Sequence, residues 1–237
     1  MSLWILFAAI VGPAVFWIGY LYYKDCFRRE PVVNLIEAFG LGFLAGFLCW
    51  ALYRFLSGLG FPIDFQMAFL SRSRFDFLIY CIGTIGIVEE VFKFLPFLLI
   101  LRRIKAFDEK IDGIIYASVL AVGFASFENL GYLADMRGWA LVGRAFASPL
   151  THAVFASIWG YLVGSATILG RPLWQAALRG IFLSALIHGL FDFLTVSPTR
   201  RLFSAILILL VWIWQLRLLE KERAKKGCAG RKDPVSG

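Results

Sequence analysis

The sequence contains few histidines and few charged side chains. Only 2 of its 237 residues are His, and 17% are Asp, Glu, Lys or Arg, compared with about 25% in an ordinary soluble domain. Hydrophobic residues make up 60% of the chain and include 24 Phe and 8 Trp. A soluble domain of this length could not bury so much apolar surface, and disordered chains are polar and poor in aromatic residues. The composition therefore excludes both classes and predicts a polytopic, all-α membrane protein.

Seven apolar stretches are long enough to cross a bilayer as helices, which takes about 20 residues. They comprise Ser2–Tyr22, Leu35–Tyr53, Phe77–Leu101, Gly113–Ala134, Ala145–Leu169, Gly180–Val196 and Leu202–Leu219. We therefore predict a bundle of about seven transmembrane helices, which forms a single integral membrane domain over residues 1–219. Residues 77–196 are its core, and the polar, basic residues 220–237 are predicted to form a disordered cytoplasmic tail.

Lys and Arg are distributed unequally between the two sets of loops. Loops 23–34, 102–112 and 170–179, together with the tail from Arg217, hold 16 of the 24 Lys and Arg residues, and the opposite loops hold 7. Cytoplasmic loops carry the excess of basic residues in membrane proteins. The N-terminus is therefore predicted to lie outside and the C-terminus in the cytoplasm. This topology accounts for the formal net charge of +8 without a nucleic-acid partner.

Eight charged or strongly polar side chains fall within the third to sixth predicted spans, where each charge costs at least about 2.5–3.5 kcal/mol at the bilayer centre. They are Glu89, Glu90, Lys93, Glu128, Asn129, His152, His188 and Asp192. Four different spans supply the acid and imidazole groups, and at about 1.5 Å per residue these groups lie in the half of the membrane nearest the predicted exterior. They could therefore meet in one water-filled cavity.

Residue spacing adds detail to this cluster. His188 and Asp192 are four residues apart and share one helix face. Glu89 and Lys93 have the same spacing and could form an ion pair, whereas Glu90 is rotated by about 100° and can point elsewhere.

Hydrolysis of a peptide bond inside a bilayer requires a water, a base that activates it, and a group that stabilises the oxyanion. A Glu or His can act as the base, and a second His or a metal can stabilise the oxyanion. Two His with carboxylates are also a plausible zinc-binding set. The same residue types serve as proton relays in transporters. An ion-coupled transporter and a catalytically silent membrane scaffold are therefore the alternatives to a protease.

Four sequence blocks resemble the motifs of the PrsW family of intramembrane proteases. The block Gly86–Lys93, GIVEEVFK, resembles the EExxK motif of that family, and Asp112–Tyr132 resembles the second block. His152–Tyr161 and His188–Phe193 resemble the third and fourth blocks. The blocks occur in the family's order on successive predicted spans.

The resemblance implies a hydrolase of the bacterial cell membrane, related to the type II CAAX prenyl endopeptidases and the wider Abi group. Such an enzyme would cleave a membrane-anchored protein, for example an anti-sigma factor, near the exterior face. The catalytic residues implied in this way are Glu89, Glu90, Glu128, His152, His188 and Asp192. Glu89 would act as the base, with His152 and His188 sharing water activation and oxyanion stabilisation.

The resemblance leaves open whether a metal takes part. If one does, zinc bound by His152, His188 and Glu128 is the expected centre. Lys93 and Asn129 would support the catalytic residues. The partners implied are a membrane-anchored protein substrate and the lipid bilayer, and the sequence does not predict an oligomeric state.

Overall fold

The computed structural model describes residues 3–25, 29–61, 63–71, 73–104, 106–133, 136 and 138–225. Within these ranges the chain forms nine α-helices and one π-helical segment. The α-helices are α1 (Leu3–Lys24), α2 (Val32–Gly58), α3 (Phe65–Ser71), α4 (Arg74–Tyr80), α5 (Ile87–Arg103), α6 (Lys110–Tyr132), α7 (Gly138–Ile168), α8 (Leu173–Val196) and α9 (Arg201–Lys225). The π-helix, Cys81–Gly86, joins α4 to α5 without a break. The prediction of an all-helical protein is therefore confirmed for the described part of the chain.

Five of the described helices are long and apolar enough to cross a membrane, namely α2, α6, α7, α8 and α9. This confirms the polytopic helical class. The predicted span Phe77–Leu101 is built differently from the other spans, because α5 has only 17 residues and the span is completed by α4 and the π-helix. The total of seven spans and the orientation of the chain stay predictions.

The C-terminal helix α9 extends beyond the predicted end of the membrane domain. The boundary at residue 219 falls inside this helix, which continues to Lys225. The rest of the predicted tail lies outside the described residues, so the division into a domain and a tail stays a prediction.

Helices α6 and α7 form the centre of the bundle. Every residue of α6 from Ile111 to Ser126 is buried, and so is every residue of α7 from Thr151 to Gly160. A helix that is apolar on all sides must be surrounded by protein or lipid, and α6 packs against α1, α2 and α7. His152 lies within the buried stretch of α7, and Glu128 lies just beyond the buried stretch of α6 with its side chain 30% exposed.

The π-helix packs against α8 with almost no space between the two backbones. A Cβ atom added to Gly189 would lie 2.4 Å from the Cα of Ile82, and one added to Gly86 would lie 2.4 Å from the carbonyl oxygen of Ala185. Only glycine permits this approach. Because α5 begins directly after the π-helix, the contact holds the start of α5 beside His188. π-Helical turns are rare and are found mostly at functional sites.

We expect Gly189→Ala to destabilise the protein by about 1–3 kcal/mol, because the added methyl group would push α8 away from the π-helix. Gly83→Ala is the matched control, since a Cβ at Gly83 in the same π-helix meets no atom within 4 Å. Thermal unfolding in detergent measures both variants. Equal unfolding temperatures for the two would contradict the close contact.

Candidate active site

A cavity of about 540 Å³ opens among α2 to α8 and contains most of the polar side chains predicted to form the site. The predicted catalytic residues that line it are Glu89, Glu128, His152, His188 and Asp192. Glu90 and Lys93 are fully buried behind them. Helices α5 to α8 each supply at least one of these side chains, so the structure brings together all six residues predicted as catalytic.

Glu89 lies between the two imidazole rings. Its Oε2 atom is 3.8 Å from Nε2 of His188, 4.0 Å from Nδ1 of His152 and 3.8 Å from Nζ of Lys93. This oxygen is buried and makes no hydrogen bond within the described residues. A carboxylate oxygen in this position can accept a hydrogen bond from a water or bind a metal ion.

His188 is oriented by Glu90. Its Nδ1 lies 2.9 Å from Oε1 of Glu90, and Oε2 of Glu90 accepts hydrogen bonds from the indole of Trp159 at 2.9 Å and from the Ser184 hydroxyl at 3.3 Å. A carboxylate only accepts hydrogen bonds, so Nδ1 of His188 carries the proton and Nε2 keeps its lone pair. That nitrogen faces Glu89 and lies 3.6 Å from the carboxylate of Asp192.

His152 has the opposite tautomer. The ammonium group of Lys93 lies 3.1 Å from Nδ1 of His152, and because an ammonium only donates, Nδ1 must accept. The proton therefore lies on Nε2, which is 3.0 Å from Oε2 of Glu128. One histidine of the cavity thus presents a lone pair and the other an N–H.

The closest ion pair of Lys93 differs from the one that spacing suggested. Its Nζ lies 2.6 Å from Oε1 of Glu90 and 3.8 Å from Oε2 of Glu89. The predicted pair of Glu89 with Lys93 is therefore present, but Glu90, which was expected to point elsewhere, lies closer to Lys93 and also contacts His188. Lys93 and Glu90 form a buried ion pair in which both side chains are fully shielded from solvent.

Arg144 is a residue of the cavity that sequence reasoning missed. One of its terminal nitrogens lies 3.3 Å from Oε1 of Glu128, and its guanidinium stacks 3.3 Å above the ring centroid of Tyr132. The apolar run placed the start of the fifth span at Ala145, so Arg144 was counted as a loop residue, whereas α7 already begins at Gly138. A helix start placed after the last charged residue misses the turns of helix that precede that residue.

Asn129 is buried but lies apart from the cavity. Neither polar atom of its side chain makes a hydrogen bond within the described residues, and it is not among the described residues that line the cavity. Its predicted supporting role stays a prediction.

Three side chains of the cavity could bind a metal. Glu89, His152 and His188 each offer one ligand atom, and these atoms lie within 4.8 Å of one another. The unpartnered Oε2 of Glu89 and the lone pair on Nε2 of His188 fit such an ion, whereas Nδ1 of His152 would have to give up its hydrogen bond from Lys93. The predicted ligand set contained Glu128 in the place of Glu89, but Glu128 contacts the other nitrogen of His152.

Known proteins match this chain over nearly its full length. The family model described as "PrsW family intramembrane metalloprotease" matches residues 30–216. Proteins named Protease PrsW are 31% identical in Oceanobacillus iheyensis over 93% of this chain and 96% of that protein, and 29% identical in Clostridioides difficile over 92% and 90%. Protease PrsW of Bacillus subtilis is 25% identical over 93% of this chain and 95% of that protein. No solved structure matches the chain.

The helical membrane fold, the buried glutamate–histidine cavity and these relatives together define an intramembrane metalloprotease, a hydrolase of the bacterial membrane. The chain belongs to the PrsW family. Family membership decides against a transporter as the class of protein.

Proposed function

We propose that this protease hydrolyses a peptide bond of a membrane-anchored protein, in the half of the bilayer nearest the predicted exterior. The observation that carries the proposal is the position of Glu89, whose buried Oε2 has no hydrogen-bond partner within the described residues and faces both imidazoles at the cavity. A water held there would contact a carboxylate and two rings. General-base hydrolysis requires such an arrangement.

Glu89 acts as the base in this proposal. It takes a proton from the water, and the unprotonated Nε2 of His188 shares that work. The N–H of His152 stabilises the oxyanion of the tetrahedral intermediate, after exchanging its 3.0 Å contact with Glu128 for a hydrogen bond to the substrate. Asp192 positions the His188 ring, with its Oδ2 atom 3.6 Å from Nε2 of His188.

Glu90 and Lys93 position the two histidines from behind. Glu90 keeps the proton of His188 on Nδ1, so Nε2 of that ring keeps its lone pair. Lys93 keeps the proton of His152 on Nε2, because Nδ1 of that ring accepts from the ammonium group. Glu128 contacts the N–H side of His152 until the substrate binds, and Arg144 positions Glu128 for that contact.

Zinc is the proposed metal for the group formed by Glu89, His152 and His188, since nitrogen and carboxylate ligands with an open position suit it. When bound, zinc would acidify a water and polarise the scissile carbonyl, and Oε2 of Glu89 would then serve as a ligand in place of its role as the base. We expect about one zinc per chain in purified protein and a loss of that zinc in His188→Ala, measured by elemental analysis. Full cleavage by protein stripped of all zinc would contradict a catalytic metal.

The substrate class follows from the depth of the site and from the resemblance to PrsW proteases. A substrate with one membrane span, such as an anti-sigma factor, can present its exterior end to the cavity. Its helix must be unwound there, because the backbone carbonyls of an intact helix are already hydrogen-bonded.

A reconstituted cleavage assay tests this proposal. The protease is placed in liposomes with single-span reporter proteins, and the products are mapped by mass spectrometry. We expect cleavage near the exterior end of the reporter span, and cleavage at its cytoplasmic end would overturn the placement. Labelling of a cysteine introduced at Arg103, an exposed residue at the end of α5, fixes the orientation in the same vesicles. Labelling from the exterior would contradict the predicted topology.

A further inference from the structure

Three hydrogen-bond donors follow one another at intervals of four residues along α7. Arg144, Ser148 and His152 all line the catalytic cavity, and residues four apart lie on the same face of a helix. Helix α7 continues through Pro149 without a break, so the Cα atoms of successive donors are separated along the helix by about 6 Å. The proposed reaction gives a role to Arg144 and to His152 but none to Ser148.

The hydroxyl of Ser148 is buried without a partner. Its Oγ atom makes no hydrogen bond within the described residues, and the residue is 8% exposed. Helical Ser and Thr can satisfy themselves by donating to a backbone carbonyl three or four residues earlier. Thr151 and Ser157 of the same helix do so, at 2.9 Å from the carbonyl of Ser148 and 2.7 Å from that of Val154. The Ser148 hydroxyl is therefore an unused donor beside the catalytic cavity.

Arg144 supplies a second unused donor. Its Nε atom is buried and has no hydrogen-bond partner in the part of the chain that the structure describes. The same guanidinium contacts Glu128 through a terminal nitrogen and stacks over the ring of Tyr132. The group is thus held in place while its Nε–H remains unpaired, and an Arg nitrogen can only donate.

An extended peptide presents acceptors at a matching interval. Each residue of a strand advances the chain by about 3.3 Å, and successive carbonyls point to opposite sides, so the carbonyls on one side recur about every 6.6 Å. This interval is close to the 6 Å that separates successive donors along α7. A substrate span that is unwound for cleavage needs new partners for its carbonyls, because lipid supplies none.

The surface of α7 beside these donors is open. Gly143 and Ala147 directly precede Arg144 and Ser148, line the cavity and are exposed. A Cβ atom added to Gly143 would meet no atom within 4 Å. The side chain of Ser148 is short, so a peptide backbone must come close to the helix to reach it. The small neighbouring residues permit this approach.

We propose that α7 binds the substrate as an extended strand. Ser148 donates to the carbonyl two residues from the scissile one, and Arg144 donates through Nε to the carbonyl four residues from it. The N–H of His152 sets this register, because it meets the scissile carbonyl in the proposed reaction. This binding mode rests on the proposed function and adds the subsites that hold the substrate backbone. Main-chain hydrogen bonds of this kind provide affinity for an unwound segment.

The kinetics of Ser148→Ala test the role of the hydroxyl, with a single-span reporter in liposomes. We expect KM to rise by about two- to tenfold, which corresponds to one neutral hydrogen bond. We expect kcat to change by less than about twofold, because the bond is made equally in the bound substrate and in the transition state. A purely structural role of Ser148 would instead lower the Tm and leave KM unchanged.

Ser165→Ala is the matched control. Ser165 also lies on α7, and its Oγ atom is also buried without a hydrogen-bond partner within the described residues. It is not among the described residues that line the catalytic cavity. The control variant should therefore keep the wild-type KM, and an equal rise in KM for both variants would overturn the proposal.

Synthetic substrates locate the acceptor without relying on the variant. Two single-span peptides each carry one backbone thioamide, whose sulfur is a weaker acceptor than oxygen, either two residues before or two residues after the scissile carbonyl. The Kd of each labelled peptide is measured in detergent with Glu89→Gln, which leaves the peptide intact. We expect one thioamide peptide to bind about two- to tenfold more weakly than the unmodified peptide. Adding Ser148→Ala should abolish that difference.

Binding and cleavage can fail separately in these experiments. If the reporter is cleaved but Ser148→Ala keeps the wild-type KM and Kd, the extended-strand mode is wrong and the proposed function stands. If no reporter is cleaved but the Kd still rises in Ser148→Ala, the strand mode is supported and the proposed reaction is wrong. Equal binding of both thioamide peptides and the unmodified peptide would overturn the proposal.

Discussion

Glu89→Gln is expected to lower the rate of peptide-bond cleavage by about 10²–10⁴-fold, the usual contribution of a general base. The amide has the same shape as the carboxylate but cannot take a proton from water. The Oε2 atom makes no hydrogen bond within the described residues, so the substitution breaks none there and removes only the charge 3.8 Å from Nζ of Lys93. The rate is measured with a single-span reporter in liposomes, and the Tm of the variant is measured in parallel.

Glu37→Gln is the matched control for this experiment. Glu37 is also a helical glutamate, but it lies on α2 with its side chain 43% exposed and 3.9 Å from Arg103. We expect wild-type cleavage from this variant. If Glu89→Gln cleaves the reporter as fast as Glu37→Gln does, Glu89 is not the base. If Glu89→Gln is inactive only because it has unfolded, its Tm will reveal this.

Lys93→Met is expected to lower the free energy of unfolding by about 3–5 kcal/mol, the usual cost of removing one partner of a buried ion pair. Glu90 would keep its hydrogen bonds from Trp159 and Ser184 but would lose the cation at 2.6 Å. Methionine has a similar length and is apolar, so it fills the space beside Phe124. Urea or thermal unfolding in detergent provides the measurement.

The double variant Lys93→Met/Glu90→Gln isolates the ion pair. Removing both charges leaves no uncompensated carboxylate at position 90, so much of the lost stability should return, and the double-mutant cycle gives the coupling between the two residues. Cleavage should stay low in the double variant, because Glu90 no longer fixes the tautomer of His188. Equal instability of the single and double variants would show that Lys93 stabilises the core by packing and not by charge.

Much of the fold was accessible from the sequence, because lipid-spanning helices require long apolar runs. The runs at Gly113–Ala134 and Ala145–Leu169 correspond to α6 and α7, with ends shifted by several residues. The sequence did not predict that the third span is divided among α4, the π-helix and α5. The π-helix at Cys81–Gly86 depends on the contact of Ile82 with Gly189, which is more than 100 residues away in the sequence, and no local pattern encodes such a contact.

The grouping of the site residues was predictable for a related reason. A charge or an imidazole in a span is costly, so Glu89, His152 and His188 stood out from an apolar background. The partners of these residues were not predictable. Lys93 pairs with both Glu89 and Glu90, and the sequence does not show that Glu90 is the closer partner and also contacts His188.

The opposite tautomers of the two histidines give the cavity a direction. His188 turns a lone pair towards its neighbours and His152 turns an N–H, and these rings lie with their centroids 5.1 Å apart. A peptide bond also has two unlike ends, a carbonyl that accepts and an amide N–H that donates. We therefore expect the substrate to bind in only one chain direction. A peptide with a reversed backbone, even with the same side chains, would place its carbonyl at the lone pair of His188 and its N–H at the N–H of His152, so neither hydrogen bond could form.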